Sequence, residues 1–597
     1  MPPPTGRRHG SAMPFKKAKN PKGAIKKIWY YIKMQKLALI LTSIAVVIQT
    51  ASVVYGTTLV GTAIDKYITV FNFKGLARFS VLLGAVYVVS AAAGWLQTRI
   101  TVSVANKAMY NVRNDLFAKL QKLSLKYFDS LPHGELMSRL TNDVDNIGQA
   151  LSQSIVSLIS SVLSIIMTVF AMLIINPLLT LVAFLIIPTG ILITKTIASR
   201  SKKLFSKQQK SLGELNGLIE ETISGQKVVK IFGREKIIID EFAKKNDELK
   251  QAGTKAQFLS SIIWPTMNSL NNLSYSLIAF AGSLLLLSGK TTITIGKISN
   301  MLIFSKQLAR PINEIANLFN TLQSAIASAE RVFEVIDETP EQSEGVSVAD
   351  IKGRVEFKNI TFGYNSNEPV LKGVSINAEP GDSVALVGPT GAGKTTIVNL
   401  LTRFYDVDEG SILVDGKDIR TLDRNSLRKS LGMVLQDTYL FSSSIKENIR
   451  YGKLSATDAE VEQAARLANV HQFIMHLPNG YDTILTDGGE GISQGQRQLI
   501  SIARAILANP SVLILDEATS SIDTRTEKQI QQALLTLMSG RTSFVIAHRL
   551  STIRDAKEIL VINDGQIIER GNHDFLYNKK GFYYNLYISQ FKRIAEE

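Results

Sequence analysis

The sequence predicts an α-helical membrane domain followed by an α/β domain, and three observations support this prediction. Ten Lys or Arg and no Asp or Glu occur in residues 1–36. Stretches without a charged residue then fill much of the first half of the chain, at 37–64, 79–98, 146–194 and 256–289. From about residue 351 onward, short β-rich strings alternate with helical ones, which is typical of buried parallel strands connected by helices.

The uncharged stretches predict membrane-spanning helices. A helix needs about 20 apolar residues to cross a bilayer, so 37–64, 79–98 and 256–289 each predict one span. The stretch 146–194 contains 49 residues, which is too many for one crossing at about 1.5 Å per residue. It therefore predicts a helical hairpin, and Asn176-Pro177 is a favourable place for its turn.

A sixth span is predicted at residues 291–309, although Lys297 and Lys306 lie within it. The alternative is a surface helix of a soluble domain. An even number of crossings would leave the basic N-terminal segment and the α/β domain on the same, inner side. A polar last helix would also suit the lining of an aqueous cavity. The predicted inner loops agree with the positive-inside rule, because 99–145 contains seven and 195–255 fourteen Lys or Arg.

Charge and composition argue against nucleic-acid binding and against sites built from cysteine. The net charge is +16, and residues 1–36 contribute ten of those charges. Because this excess directly precedes a hydrophobic segment, membrane topology explains it better than nucleic-acid binding does. The chain has no cysteine, which excludes disulfides and thiolate metal sites.

A phosphate-binding loop is predicted at Gly388–Thr395, which matches the pattern GxxxxGK[ST] between a strand and a helix. The glycines let backbone N–H groups face the phosphates of ATP, and Lys394 is expected to reach the β and γ oxygens. The hydroxyl of Thr395 is expected to bind Mg²⁺. The other residues of this predicted cofactor site are Gly388, Thr390, Gly391, Gly393 and Thr396.

Two adjacent carboxylates end the apolar string that begins at Val512. Asp516 is expected to hold Mg²⁺ through water, and Glu517 to polarise the attacking water as a general base. Without the phosphate loop, an ordinary buried strand ending in an acidic turn would explain the pattern equally well.

The motif Ser493-Gln-Gly-Gln496, preceded by Ile492, resembles the ABC signature usually written LSGGQ. Together with the phosphate loop and the two carboxylates, it makes this half of the chain resemble the nucleotide-binding domain of ABC transporters. The resemblance implies that two cassettes meet head to tail. Ser493, Gly495 and Gln496 would then contact ATP held by a partner cassette, so the single copy of each motif implies a dimer.

The same resemblance implies roles for four further residues. Tyr364 falls where an aromatic ring stacks on adenine, and Gln436 falls in the loop that joins the ATP site to the membrane domain, as a magnesium ligand and catalytic group. Asp523 matches the D-loop. His548 matches the switch histidine, which would act in catalysis with Glu517, Lys394 and Gln436.

The membrane half resembles that of ABC exporters. Residues 126–147 and 217–236 resemble the first and second intracellular loops, whose short helices dock on the cassettes. The expected domains are a basic N-terminal segment (1–36), a six-helix transmembrane domain (37–338), a linker (339–350) and a nucleotide-binding domain (351–597).

The resemblance implies ATP-driven export of drugs or other amphipathic compounds across the plasma membrane by alternating access, with the N-terminus and the ATP-binding domain in the cytoplasm. A homodimeric lipid flippase, a peptide exporter and an ATP-gated channel or sensor are the alternatives. The sequence identifies no substrate residue. Asp65 and Lys66 at the outer end of the first span are either an external gate pair or a solvated helix end.

Two departures from the family pattern bear on the partner. Gln494 stands where the signature usually has glycine, and the segment before it, Gly489–Ser493, is three residues shorter than usual. Similar shortening occurs in one subunit of heterodimeric bacterial multidrug exporters. Since Glu517 and His548 are both present, this chain is expected to be the catalytically intact half of a heterodimer, with a homodimer as the alternative.

Overall fold

The computed structural model describes residues 20–595 except for 289–291, 342–344, 349, 366–367, 437, 487, 490, 517–522 and 547–553. The chain forms two compact units. The first unit comprises the chain up to Lys122 together with Leu131–Thr339, and the second comprises Leu123–Ser130 together with the chain from Pro340 onward. The expected transmembrane domain, 37–338, included the short segment Leu123–Ser130, which the structure groups with the second unit.

The first unit is helical. Its helices are α1 (Pro21–Lys33), α2 (Lys36–Ala63), α3 (Phe73–Leu120), α5 (His133–Ser138), α6 (Val144–Gln149), α7 (Ile155–Ile175), α8 (Pro177–Ser224), α9 (Gln226–Ile231), α10 (Glu235–Ser261), α11 (Ile263–Leu287) and α12 (Ile295–Asp337), and α4 (Leu125–Ser130) lies in the second unit. Three π-helical segments, Ile64–Ile68, Arg139–Asp143 and Ala150–Ser154, continue the neighbouring helices.

Five helical stretches of the described chain are long and apolar enough to cross a membrane, judged by length and composition. They are Lys36–Ile68, Phe73–Leu120, His133–Ile175, Pro177–Ser224 and Glu235–Leu287. The prediction of a hairpin at Asn176-Pro177 is confirmed. The Asn176 carboxamide oxygen accepts hydrogen bonds from the backbone N–H groups of Leu178 and Leu179, both at 3.0 Å, and so caps the first turn of α8.

The sixth predicted span lies in α12, a helix of 43 residues. It is not among the five stretches that are long and apolar enough to cross a membrane, and Lys297, Lys306 and Arg310 interrupt its apolar positions. Nevertheless, Met301, Phe304 and Leu308 are buried in one hydrophobic core with Met172 of α7 and Ile278 of α11. The helix is therefore part of the bundle.

The second unit contains all ten strands of the described chain and the remaining helices. The strands are β1 (Val355–Phe362), β2 (Leu371–Ala378), β3 (Ser383–Val387), β4 (Glu409–Val414), β5 (Lys417–Asp418), β6 (Leu431–Val434), β7 (Val512–Asp516), β8 (Thr542–Ile546), β9 (Glu558–Asn563) and β10 (Gln566–Gly571). The helices are α13 (Lys394–Leu401), α14 (Arg424–Ser430), α15 (Ile445–Arg450), α16 (Asp458–Leu467), α17 (His471–Met475), α18 (Gln494–Ala508), α19 (Thr524–Met538), α20 (His573–Lys579) and α21 (Phe582–Ala595).

Two sheets organise this unit. A four-stranded antiparallel sheet has the order β2-β1-β4-β5, and a six-stranded sheet has the order β10-β9-β3-β8-β7-β6. In the larger sheet β9, β3, β8, β7 and β6 run parallel, and β10 is antiparallel to β9. Hydrophobic cores cover both faces of its central strands, as expected for parallel strands. The predicted class, a helical membrane domain followed by an α/β domain, is confirmed.

Candidate nucleotide-binding site

The predicted site residues follow strands that end at one edge of the six-stranded sheet. Leu386 of β3 lies opposite Ile546 of β8, and Ile546 also lies opposite Asp516 of β7. Val434 of β6 lies opposite Leu515 of β7. Because the carboxyl ends of these parallel strands meet at the same edge, the loops after them converge, and this is where open α/β sheets bind ligands.

The phosphate loop connects β3 to α13 and contains three glycines with positive φ angles. The φ angles are 156° at Gly388, 85° at Gly391 and 106° at Gly393. A Cβ atom at Gly388 would approach the Ile562 carbonyl oxygen to 2.1 Å, so a side chain there is sterically excluded. Gly393 directly precedes the first turn of α13, and the positive end of the helix dipole there favours an anion.

Lys394 is the first residue of α13 and is 8% exposed. Its ammonium group donates hydrogen bonds to the carbonyl oxygens of Gly388 at 2.8 Å and Pro389 at 2.9 Å. Burial lowers the pKa of Lys394, while the negative charge of Asp516 raises it and only partly offsets the burial. A buried cation at a helix N-terminus, preceded by a glycine-rich loop, suits the phosphates of a nucleotide.

The predicted metal ligands fit Mg²⁺ better than a transition metal. Thr395 is exposed on the first turn of α13, Gln436 lies two residues after β6, and Asp516 ends β7. These side chains offer only oxygen ligands, which Mg²⁺ prefers, and Mg²⁺ commonly takes phosphate oxygens and water as its other ligands. Within the described residues, no group of three His, Cys, Asp or Glu could hold a metal by itself.

Tyr364 is 42% exposed, and neighbouring groups fix its ring. Its hydroxyl lies 3.2 Å from the Thr396 hydroxyl and accepts a hydrogen bond from the Asn399 amide, also at 3.2 Å. Phe362 and Tyr405 contact the ring edge-to-face, with centroid distances of 5.2 and 5.1 Å. A rigid, partly exposed aromatic ring beside the phosphate loop suits the stacking of a base.

Sequence reasoning missed Tyr405, which connects this ring to α4. The Tyr405 hydroxyl donates a hydrogen bond to the Asp129 carboxylate, and both residues belong to the second unit. Burial, and then this bond to a carboxylate, raises the pKa of Tyr405. The sequence indicated that the segment around Asp129 docks on a cassette. It could not indicate the contact itself, because the two residues lie 276 positions apart.

The signature residues lie at the start of α18. Ser493 and Gln496 form a capping box, in which the Ser493 N–H donates to the Gln496 side chain at 2.8 Å and the Gln496 N–H donates to the Ser493 hydroxyl at 3.3 Å. Gly495 is buried in the first turn. Among the described residues no hydrogen bond or ion pair joins Ser493 or Gln496 to the phosphate loop of the same chain.

The remaining predicted residues are Asp523, Glu517 and His548. Asp523 caps α19 by accepting a hydrogen bond from the Thr526 N–H at 2.9 Å, and this bond lowers the pKa of its carboxyl group. Glu517 and His548 lie outside the described residues. In the chain they come one residue after β7 and two residues after β8, respectively.

Comparisons with known proteins agree with this arrangement. The family model described as ABC transporter transmembrane region matches residues 39–312, and the family model described as ABC transporter matches residues 371–520. An uncharacterized ABC transporter ATP-binding protein of Bacillus subtilis is 49% identical over 97% of this chain and 96% of its own length. A fatty acid ABC transporter ATP-binding/permease protein of Mycobacterium bovis is 46% identical over 86% of this chain and 82% of its own length. An ATP-dependent lipid A-core flippase of Syntrophus aciditrophicus is 38% identical, with 90% of each chain covered.

Proposed function

The chain belongs to the ABC transporter family as a half-transporter of the exporter type, and from this premise we propose that it exports amphipathic compounds, with lipids as the favoured cargo. It couples ATP hydrolysis to transport, as its ATP-binding domain and its relatives indicate. The observation that carries the proposal is the buried Lys394 at the start of α13, preceded by a glycine loop, in a chain that also carries membrane-spanning helices.

Two features favour a lipid over a drug. Relatives of high identity are named as a fatty acid transporter and a lipid A-core flippase. In addition, Lys306 and Arg310 of α12 are exposed, and the Arg310 guanidinium donates to the Glu314 carboxylate at 2.9 Å. Ionisable side chains in a membrane helix are costly unless they face a protein interior or an aqueous cavity. A cavity lined by such groups would favour a cargo with a charged headgroup and an apolar tail.

We assign the ATP-binding roles to the residues at the edge of the sheet. Tyr364 would stack on the adenine, the loop N–H groups and Lys394 would hold the β and γ phosphates, and Thr395, Gln436 and Asp516 would hold Mg²⁺. A bound Mg²⁺ would neutralise negative charge on the phosphate oxygens. Glu517 accepts a proton from the attacking water, and His548 donates a hydrogen bond to the γ-phosphate.

Half-transporters of this family work as dimers, and the described residues show no bond between Ser493 and the phosphate loop of the same chain. The helix N-terminus at Ser493 offers N–H groups and a hydroxyl to an anion, so it can close over ATP held by a second cassette. Closure of the two cassettes, conveyed by segments such as α4, would switch the membrane helices between inward and outward access.

We favour a heterodimer because Gln494 and the short loop before it depart from the family pattern. The loop is held by Arg497, whose guanidinium donates to the carbonyl oxygens of Gly489 at 3.4 Å and Ile492 at 3.2 Å. The test is to purify the chain expressed alone and to measure its ATPase activity, with Glu517→Gln as the matched inactive control. Robust turnover by the wild-type chain alone, absent in the control, would contradict the heterodimer.

The proposed location is the plasma membrane, with the second unit in the cytoplasm, where ATP is available. The fourteen Lys and Arg in residues 195–255 support this orientation, since basic loops stay on the cytoplasmic side.

The cargo class is tested by the stimulation of ATPase activity in the reconstituted dimer. Long-chain fatty acids and anionic phospholipids should raise the rate more than cationic dyes do, and Arg310→Gln should reduce the stimulation by lipids without changing the basal rate. Stimulation by cationic dyes alone would favour a drug exporter. A rate that no compound changes would favour an ATP-gated channel or sensor.

A further inference from the structure

The N-terminal helix α1 has an exposed face that the transport cycle proposed above does not use. Lys22, Lys26 and Lys33 recur at helical spacing and form one exposed row. Beside this row, Ile25 is 51% exposed and Trp29, one turn later, is 57% exposed. A lysine row next to exposed Ile and Trp side chains is typical of a helix that lies in a membrane interface.

The acidic groups that contact α1 bind residues outside the lysine row: Glu330 accepts from the Asn20 N–H, Asp337 pairs with Lys27, and Asp115 accepts from Tyr31. Within the part of the chain that the structure describes, no ion pair involves Lys22, Lys26 or Lys33, and the Lys33 ammonium lies over the Tyr30 ring at 4.8 Å. Residues 1–36 contain no Asp or Glu. The face is therefore electrostatically complementary to a negatively charged surface.

The connection between α1 and α2 is short. Only Met34 and Gln35 separate α1 from α2, which is apolar and long enough to span a bilayer. The Gln35 side chain donates to the Val104 carbonyl oxygen on α3 at 3.1 Å, which holds this short connection against the bundle. The C-terminal end of α1 is therefore held close to the end of α2.

The opposite face of α1 packs on α3 and on the end of α12. The Tyr31 hydroxyl donates to the Asp115 carboxylate at 2.8 Å, and its ring stacks on Phe333 with a centroid distance of 6.0 Å. Lys27 forms an ion pair with Asp337, the last residue of α12. The chain re-enters the second unit at Pro340, three residues further along.

We propose that α1 binds anionic phospholipid headgroups through Lys22, Lys26 and Lys33 and that this binding regulates ATP hydrolysis through the contacts of Tyr31 and Lys27. The lysines attract the phosphate groups, and Ile25 and Trp29 insert at the boundary with the acyl chains. Headgroup binding fixes the position of α1, and α1 restrains the end of α12 that leads into the nucleotide-binding unit.

The binding step is tested with Trp29 as the reporter. The chain has three tryptophans, so Trp95→Phe and Trp264→Phe leave Trp29 as the single tryptophan of the full-length chain in lipid nanodiscs, and it is excited selectively near the red edge of tryptophan absorption. Dibrominated phosphatidylglycerol should quench Trp29 more strongly than dibrominated phosphatidylcholine at equal mole fraction. Each lysine contributes about fivefold in affinity near an anionic surface, so Lys22→Gln, Lys26→Gln and Lys33→Gln together should weaken the affinity of α1 for that surface by on the order of a hundredfold. The stronger quenching by phosphatidylglycerol should then be lost.

A matched control removes the same charge elsewhere. Lys352→Gln, Lys417→Gln and Lys429→Gln, all exposed in the second unit, should leave the quenching preference unchanged. Equal quenching by the two lipids in the wild-type chain, or an unchanged preference in the α1 triple variant, would overturn the proposal. This step requires no nucleotide and no transport, so its outcome is independent of the proposed function.

The regulatory step is tested by Tyr31→Phe, which removes the hydrogen bond to Asp115 and keeps the ring on Phe333. The ATPase rate of the wild-type dimer should differ between phosphatidylcholine nanodiscs and those that also contain phosphatidylglycerol. Tyr31→Phe should keep the quenching preference and lose most of this difference. A wild-type rate that is the same in both lipids, or a variant that responds as the wild type does, would contradict regulation through α1.

Discussion

The backbone N–H of Gly296 donates a hydrogen bond to the Asp65 carboxylate at 2.8 Å, so the end of the first span caps the first turn of α12. The Thr294 hydroxyl donates to the same carboxylate at 2.5 Å. Close to this cap, a Cβ atom at Gly296 would lie 2.1 Å from the Gly61 carbonyl oxygen, which shows how closely the two helices approach. Asp65 is therefore not simply a solvated helix end, because its carboxylate joins the end of the first span to the start of α12.

Asp65→Ala should destabilise the first unit by about 1 kcal/mol, the usual cost of removing a helix cap. The measurement is thermal unfolding of the purified chain in detergent. Asp65→Asn keeps one carbonyl oxygen as an acceptor, so it should lower the melting temperature less than Asp65→Ala does. Equal melting temperatures for Asp65→Ala and the wild type would show that the cap contributes nothing to stability.

Lys394→Ala should weaken ATP binding by on the order of ten- to a hundredfold, because the phosphates lose a charged hydrogen-bond donor. Binding of a fluorescent ATP analogue to the purified chain measures this effect. Lys417→Ala, which removes an exposed lysine of the same unit, is the control and should bind as the wild type does. If Lys394→Ala binds the ATP analogue as tightly as the wild type does, Lys394 does not contribute to ATP binding.

Tyr405→Phe should uncouple α4 from the nucleotide site while leaving the Tyr364 ring packed. The substitution keeps the aromatic contact with Tyr364 and removes only the hydrogen bond to Asp129. We expect a nearly unchanged basal ATPase rate and a weaker stimulation by cargo. Asp129→Asn should have a similar effect, and the double variant should be no worse than either single variant, since all three lack the same bond. Additive losses would contradict a shared role.

Acidification should destabilise the C-terminal part of the second unit through His573. Its ring lies against Tyr577, Tyr583 and Tyr587, and burial lowers its pKa, with Arg554 lowering it further and Asp574 raising it. The unfolded chain therefore binds the proton more readily than the folded chain does. Stability should be highest above the unfolded pKa of about 6.5 and should fall as the pH drops below it.

His573→Gln should reduce this loss of stability on acidification, as measured by melting temperatures at neutral and mildly acidic pH. The matched control is His476→Gln, which removes an exposed histidine and should keep the pH dependence of the wild type. A His573→Gln variant with the full pH dependence would assign the effect to other groups.

Patterns that act over a short stretch of chain allowed much of the fold to be predicted. The long uncharged run around Asn176-Pro177 indicated a hairpin, and the side chain of Asn176 caps α8, the second helix of that hairpin. The phosphate loop was predictable for the same reason, since the positive φ angles at Gly391 and Gly393 require residues without a side chain.

Contacts between distant parts of the chain were not predictable. Tyr31 and Asp115, Tyr405 and Asp129, and Asp65 and Gly296 each join elements whose packing depends on the folded bundle or sheet. The hydropathy of α12 is too low to identify a span by composition. Its place in the bundle follows only from the burial of Met301 and Phe304 against other helices.

The central claim is that ATP hydrolysis by this chain and its partner moves an amphipathic lipid across a membrane. The most direct measurement reconstitutes the dimer in vesicles that contain a fluorescent short-chain lipid and follows its protection from an external quencher after Mg-ATP is added. The account predicts a time-dependent change in the accessible fraction for the wild type. Glu517→Gln should bind ATP and produce no sustained change. A change of the same rate and extent in Glu517→Gln, or none in the wild type with active ATPase, would contradict it.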